Sequence, residues 1–323
     1  MAELIQKVAV ASCDVTHADN FKDLVIAQWI KECDISALTA KSYNVAAHTL
    51  FQFLQDKPLD ETALIDFREY LKKSKATSTA RLYFVIVKKF VAWLAKRGYC
   101  AANFAEGIKG VKLDSSTHSR DALTVNEAID VIGAFDCNNL KSLRDKCIMA
   151  LMICCGLRTI EVVRLDCGDI EKRRGVWTMR IHGKARAGKV DTVIMPPQVK
   201  SMIDEYLKMR GKVNSGAPLF VSTSRRNKNS RLQTQSISRL AKRAFINVGI
   251  DSQRVTAHSC RHSCATIALE AGVDLRAVSN NLRHKSITTT EIYLHNEQLF
   301  SNSTANTVAD IIFNRSEAYG TKN

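Results

Sequence analysis

The stretch Thr256–His295, TAHSCRHSCATIALEAGVDLRAVSNNLRHKSITTTEIYLH, sets His258, Arg261, Arg283 and His284 ahead of a tyrosine, Tyr293. Two imidazoles and a guanidinium suit an anion, because arginine binds phosphate through a two-pronged fork and stays charged at any relevant pH. A tyrosine beside a phosphodiester is a candidate nucleophile. Its phenol is protonated at neutral pH, so positive charge nearby would favour the phenolate and also stabilise the extra charge on phosphorus. A single helical histidine is ordinarily structural and a single tyrosine ordinarily packs in a core. The set and its order carry the chemistry.

Helices must position these groups. A helix from about Ala257 to Ala271, closed by Gly272, puts His258 and Arg261 three apart on one face. DLRAVSNNL forms a second helix, and Thr288 with Glu291 makes a capping-box start for a third that carries Tyr293. Two short turns then fold His258, Arg261, His284 and Tyr293 around one point.

Earlier in the chain, Tyr43, Ala47, Leu50, Phe51 and Leu54 share a helix face, with Thr39 placed to cap it. DETALIDFREYLKK is another helix. In TSTARLYFVIVKKFVAWLAKRG, Leu82, Ile86, Phe90, Trp93 and Leu94 repeat the pattern up to Gly98. Residues 1–20 read as a loose lead, 21–110 as a helical bundle and 111–120 as a polar linker. The second domain, 121–323, begins with TVNEAIDVIGAF, LKSLRDKCIMALMICCG and RTIEVVRL as helices. VWTMRIH and DTVIMP then flank a Gly/Lys-rich turn as a hairpin. VKSMIDEYLKMRG is helical, PLFVS a short strand and QSISRLAKRAFINVG helical. The expected fold class is mainly α (α+β), with a small antiparallel sheet in the larger domain.

The chain has 323 residues, room for two cores, and a net charge of +15 with a pI near 9.4. Residues 1–112 carry 16 Lys and Arg against 12 Asp and Glu, a balance of +4, which leaves +11 for the remainder. Such a balance favours a polyanionic partner. The longest wholly apolar run, Cys147–Cys155, is too short to cross a bilayer, and the N-terminus makes a poor signal peptide. A cytoplasmic protein with no membrane partner is expected. Ten cysteines include no CxxC pair, and Cys147, Cys154 and Cys155 lie in an apolar helical stretch, so they read as reduced core residues.

Taken together, HSCRH and NNLRHKSITTTEIYLH resemble the His-x-x-Arg and closing boxes of the tyrosine recombinase/integrase family. CGLRTIEVVRL resembles the box carrying that family's first arginine, and IHGKARAGK its Gly-Lys-Gly turn. The resemblance covers roughly residues 20–300 and implies Arg158, Lys184, His258, Arg261, His284 and Tyr293 as the active-site set. Glu161 is then the acidic neighbour of the first arginine. The nine-residue step from His284 to Tyr293 agrees with the family pattern. Three positions depart from it. Arg283 stands where a glycine is usual, Cys260 where a leucine is, and the hairpin turn is longer, which leaves both Lys184 and Lys189 as the acid; Gly183 favours Lys184.

The chemistry so implied is attack by Tyr293 on a scissile phosphate, giving a 3′-phosphotyrosine and a free 5′-hydroxyl, without ATP. Arg158 and Arg261 would hold the non-bridging oxygens with support from His284. Lys184 would protonate the departing oxygen, and His258 would help remove the phenol proton. No carboxylate cluster of the two-metal type is present, so neither a metal nor a cofactor is expected. Lys41, Arg81, Lys88 and Lys89 in the bundle, with Arg225, Arg226, Arg239, Lys242 and Arg243 in the second domain, are candidate backbone contacts that would let the two domains clamp duplex DNA. Val308, Ile311 and Ile312 form a short apolar stripe in the segment 296–323. The resemblance implies that this segment docks on a neighbouring subunit in a tetramer on two DNA sites built of paired half-sites, in a mobile-element or Xer-like setting; packing of the stripe on its own domain is the alternative. Rival readings are a type IB topoisomerase and a catalytically silent DNA-binding accessory protein.

Overall fold

The computed structural model describes residues 17–55, 57–112, 121–182, 190–284, 286 and 290. The chain divides into two compact units, Met1–Ser115 and Ser116–Asn323. Among the described residues it is mainly helical with one three-stranded antiparallel sheet, the fold class expected. No helix among them is long and apolar enough to cross a membrane.

The first unit is a bundle of α1 (His17–Glu32), α2 (Ala37–Leu54), α3 (Glu61–Ser74) and α4 (Thr77–Lys96). Helix α1 begins inside the stretch read as a loose lead. It is held by Ile26 and Trp29, both sealed in the core, with Trp29 stacked 5.0 Å from Tyr43 and tilted against Phe90 at 4.7 Å. Ser36 caps α2, its Oγ accepting from the Thr39 backbone N–H at 3.3 Å, so the cap lies three residues before the one expected. Asp60 caps α3 through the Ala63 N–H. Helix α4 starts after Ala76 with no side-chain cap and is closed by Gly98 at φ +73°. Its buried face runs through Ala80, Phe84, Val87, Val91 and Leu94 with Ile86 and Phe90, whereas Leu82 is 48% exposed. The run LYFVIV is apolar on every side, so periodicity alone misplaces the face's edge.

The second unit is built round α6 (Leu140–Cys154), which is buried from Leu143 to Ile153 on nearly every face, as a central helix must be. Helix α5 (Val125–Gly133) begins with a reciprocal capping box between Thr124 and Glu127. After α7 (Thr159–Arg164) come β1 (Ile170–Arg173), β2 (Val176–His182) and β3 (Val190–Ile194), in that spatial order and antiparallel throughout. The β2–β3 hairpin is the one expected, pairing Met179 with Val193 and Ile181 with Asp191. Met179, Ile181 and Val193 turn inward, on the period of two that strands impose.

Strand β1 was not anticipated, and PLFVS is not a strand of the sheet. That segment makes only isolated bridges, Asp166 with Pro218 and Val221 with Arg231, and its Leu219, Phe220 and Val221 are buried because it crosses the core. The unit is completed by α8 (Pro197–Arg210), α9 (Thr234–Asn247), α10 (Ala257–Glu270) and α11 (Leu275–Leu282). Helix α6 packs against both α8 and α10.

Candidate active site

Three segments of the second unit converge: the loop between α6 and α7, the first turns of α10, and the end of α11. Gly156 ends α6 at φ +63°, a backbone conformation that only glycine adopts freely. It is also packed tightly. A Cβ there would sit 2.5 Å from Leu282 Cδ2 and 3.2 Å from Cys264 Sγ, so the loop after α6 and the end of α11 touch because this residue has no side chain.

Arg261, on α10, fastens that contact. It is 6% exposed, and its Nη1 donates to the Gly156 carbonyl at 2.5 Å while Nη2 donates to the Leu282 carbonyl. These two carbonyls lie just ahead of Arg158 and of His284. One guanidinium thus ties together the two backbone segments that present the other candidate groups. Thr256 and Ser259 cap the start of α10, and exposed His258 lies one turn before Arg261 on the same helix. His262 is buried and meets Thr266 Oγ1 through Nδ1 at 3.3 Å, which makes it a packing residue of that helix.

Arg158 is the residue before the first turn of α7. Its Nη1 donates to Glu161 Oε1 at 2.7 Å and its backbone N–H to Oε2 at 2.8 Å. The same carboxylate accepts from Arg283 Nη2 at 2.6 Å. Glu161 is 1% exposed, and burial alone would raise its pKa, but Arg283 and Arg158 together hold it below the ordinary carboxylate range. The role of Arg283 was not legible in the sequence beyond its being a departure. The residue closes α11 at φ +56°, the left-handed position that a helix C-terminus usually fills with glycine.

His284 follows at once. Its Nδ1 lies 2.8 Å from Thr290 Oγ1, and Thr290, which sequence reasoning missed, is wholly buried. Burial, with the charges of Arg261, Arg158 and Arg283, lowers the His284 pKa to about 4, so the ring is neutral at pH 7. The arrangement is a cationic pocket of three guanidiniums and one neutral imidazole, offset by one carboxylate.

Arg158, Arg261 and His284 are therefore brought together. Lys184, Lys189 and Tyr293 lie outside the described residues, as do Thr288, Glu291 and the apolar stripe Val308, Ile311 and Ile312. Among the described residues no group of three His, Cys, Asp or Glu side chains could hold a metal ion, and the cysteines are free thiols.

The remaining candidates are surface groups. Lys41, Arg81, Arg225, Arg226, Arg239 and Arg243 are exposed. Lys88 instead donates to the Ile108 carbonyl at 2.7 Å, Lys89 meets Tyr43 Oη at 3.4 Å, and Lys242 bonds Asp251 and the Ser252 carbonyl.

The profile described as the Phage integrase family matches residues 122–299, more than half of the chain. The chain is a tyrosine recombinase of the phage integrase family. It is 28% identical over 273 residues to the tyrosine recombinase XerC of Serratia marcescens, covering 82% of this chain and 86% of that one. Tyrosine recombinase XerD of Xanthomonas axonopodis pv. citri is 30% identical over 251 residues, covering 73% of this chain and 77% of its own length. Among solved structures, the post-cleavage complex of XerH site-specific recombinase with palindromic difH substrate shares the fold, with a TM-score of 0.71 at 20% identity, covering 96% and 87%. A lambda integrase tetramer bound to a Holliday junction does so at 0.65 and 16% identity, covering 90% and 83%.

Proposed function

We propose that this recombinase cleaves and rejoins DNA strands at specific sites through a 3′-phosphotyrosine on Tyr293. The observation that carries the reading is the double hydrogen bond of Arg261 to the Gly156 and Leu282 carbonyls, which holds Arg158 and His284 about one shared cationic space. In that space Arg158 and Arg261 hold the non-bridging oxygens of the scissile phosphate. Neutral His284 donates a further hydrogen bond to them. Tyr293 attacks in line, with His258 assisting its proton transfer, and Lys184 protonates the departing 5′-oxygen, Lys189 being the other lysine between β2 and β3 in the sequence. The phosphotyrosine conserves the bond energy, so a 5′-hydroxyl from another strand reverses the step.

The partner is duplex DNA with paired half-sites. Residues 21–110 form the DNA-binding bundle and 121–323 the catalytic domain, with exposed Lys41, Arg81, Arg225, Arg226, Arg239 and Arg243 on the phosphate backbone. The working assembly is a tetramer joined through residues 296–323, acting in the cytoplasm on chromosomal or mobile-element sites.

The test is a nicked suicide duplex bearing a site selected from random DNA by its binding. An SDS-resistant protein–DNA adduct forms in EDTA and disappears in Tyr293→Phe. A tightly bound site that yields no adduct moves the protein to an accessory DNA-binding role.

A further inference from the structure

We propose that Arg283 is a positioning residue for strand cleavage: it offsets the charge of Glu161 so that the carboxylate does not cancel the field of Arg158 at the phosphate. The proposal rests on the recombinase reading above and extends it to a residue outside the six-residue set.

Glu161 holds Arg158 in place through two hydrogen bonds, one to the guanidinium and one to the backbone. A buried carboxylate so close also cancels the cation it orients, because in a shielded site the charges of a pair at 2.7 Å largely offset one another. Arg283 alters that balance. Its Nη2 reaches the same carboxylate at 2.6 Å, and its side chain is 8% exposed, so little water screens it. Glu161 with Arg158 alone is neutral; with Arg283 the trio keeps one net positive charge, and Arg261 adds a second. A phosphodiester gains one negative charge as the phenol oxygen adds to phosphorus, so this difference is felt most in the transition state.

The backbone supplies an independent argument. Arg283 closes α11 at φ +56°, where glycine would sit without strain. An arginine is held there at a conformational cost, with its Nη1 on the Asn281 carbonyl and its buried Nε without an acceptor among the described residues. A side chain that occupies a strained position, is buried, and is directed at the carboxylate beside Arg158 is placed for use.

The test compares the parent with Arg283→Gly, which suits the backbone, and Arg283→Gln, which keeps most of the stem without charge. Single-turnover cleavage of the suicide duplex is measured beside duplex affinity and thermal midpoint. Both variants are expected to cleave on the order of tenfold to a hundredfold more slowly, the range for losing a group that supports a functional one. Affinity should move by less than about threefold, the pattern of an interaction felt mainly in the transition state. With the scissile phosphate replaced by an uncharged methylphosphonate, the deficit should shrink to within about threefold, because less charge then needs compensation. Parent-like cleavage by either variant overturns the proposal, and so does a deficit that the methylphosphonate leaves undiminished. A parent that forms no adduct fails the recombinase reading itself, an outcome visible before any variant is compared.

Discussion

Arg261 Nη1 and the Gly156 carbonyl oxygen lie 2.5 Å apart although 105 residues separate them in the chain. The bond forms because Gly156, at φ +63° and without a side chain, lets the loop after α6 approach Leu282 and Cys264. Gly156→Ala is expected to cost about 2–5 kcal/mol, from roughly 1–2 for left-handed backbone and 1–3 for overpacking. Denaturant unfolding measures the loss. Adding Leu282→Ala removes the 2.5 Å clash but not the backbone strain, so the double variant should lose less than the sum of the two single losses.

Protonation of His284 sets a second expectation. Its folded pKa of about 4 lies below the ordinary value of 6.5, so between these limits the unfolded chain binds more protons than the folded one. Stability contributed by the neutral ring is therefore complete above pH 6.5 and is lost as the pH falls toward 4. Glu161, also depressed, adds a loss at still lower pH, as its carboxylate is protonated. Nitrogen-15 NMR should show His284 neutral at pH 6, with Nδ1 accepting from Thr290 and the proton on Nε2. An imidazolium signal at that pH would contradict it.

Lys184 and Lys189 are separable by the leaving group. A bridging sulfur at the 5′ position departs as a thiolate, which needs no acid, whereas an alkoxide does. Lys184→Ala should slow cleavage of the ordinary substrate about 100-fold or more, within the usual range for general acid catalysis, and recover on the sulfur-bridged one. Lys189→Ala should show neither effect. The reverse pattern assigns the role to Lys189.

Salt dependence reports how many phosphates the protein neutralises. Replacing exposed Arg239 and Arg243 together by Gln should lower the slope of log K against log salt by about two, close to one unit for each phosphate that no longer meets a cation. Lys242 is engaged with Asp251 and the Ser252 carbonyl, so Lys242→Gln should change the slope less. Equal slopes in parent and double variant would remove α9 from the interface.

Most helices were legible because their apolar positions recur at helical spacing between clear caps, as in Thr124–Glu127 or Asp60 before α3. The β2–β3 hairpin was legible for the matching reason, Met179 and Ile181 alternating with Thr178 and Arg180. Strand β1 was not. It reads Ile-Glu-Lys-Arg, the charged composition of a protected edge, and joins β2 through Arg174 and Gly175, both at positive φ, without the Asn-Gly pair that signals such a turn. PLFVS misled in the other direction, because a short apolar run crossing a core looks the same as a strand. In the candidate site, residue types pointed to Arg261 and His284 and the family resemblance to Arg158, and the fold brings the three together. Arg283 and Thr290 stayed hidden, since a left-handed cap and a hydroxyl facing a ring nitrogen are settled by tertiary packing.

The twofold grip of Arg261 on backbone carbonyls bears on how an inert protein should be made for trapping substrate complexes. Substituting that arginine would remove a proposed phosphate ligand and also both of its bonds to the Gly156 and Leu282 carbonyls, so any trapped assembly would report an altered backbone at the site. Blunting the proposed nucleophile, Tyr293, leaves the tie between the two segments intact and is the sounder choice for a faithful snapshot.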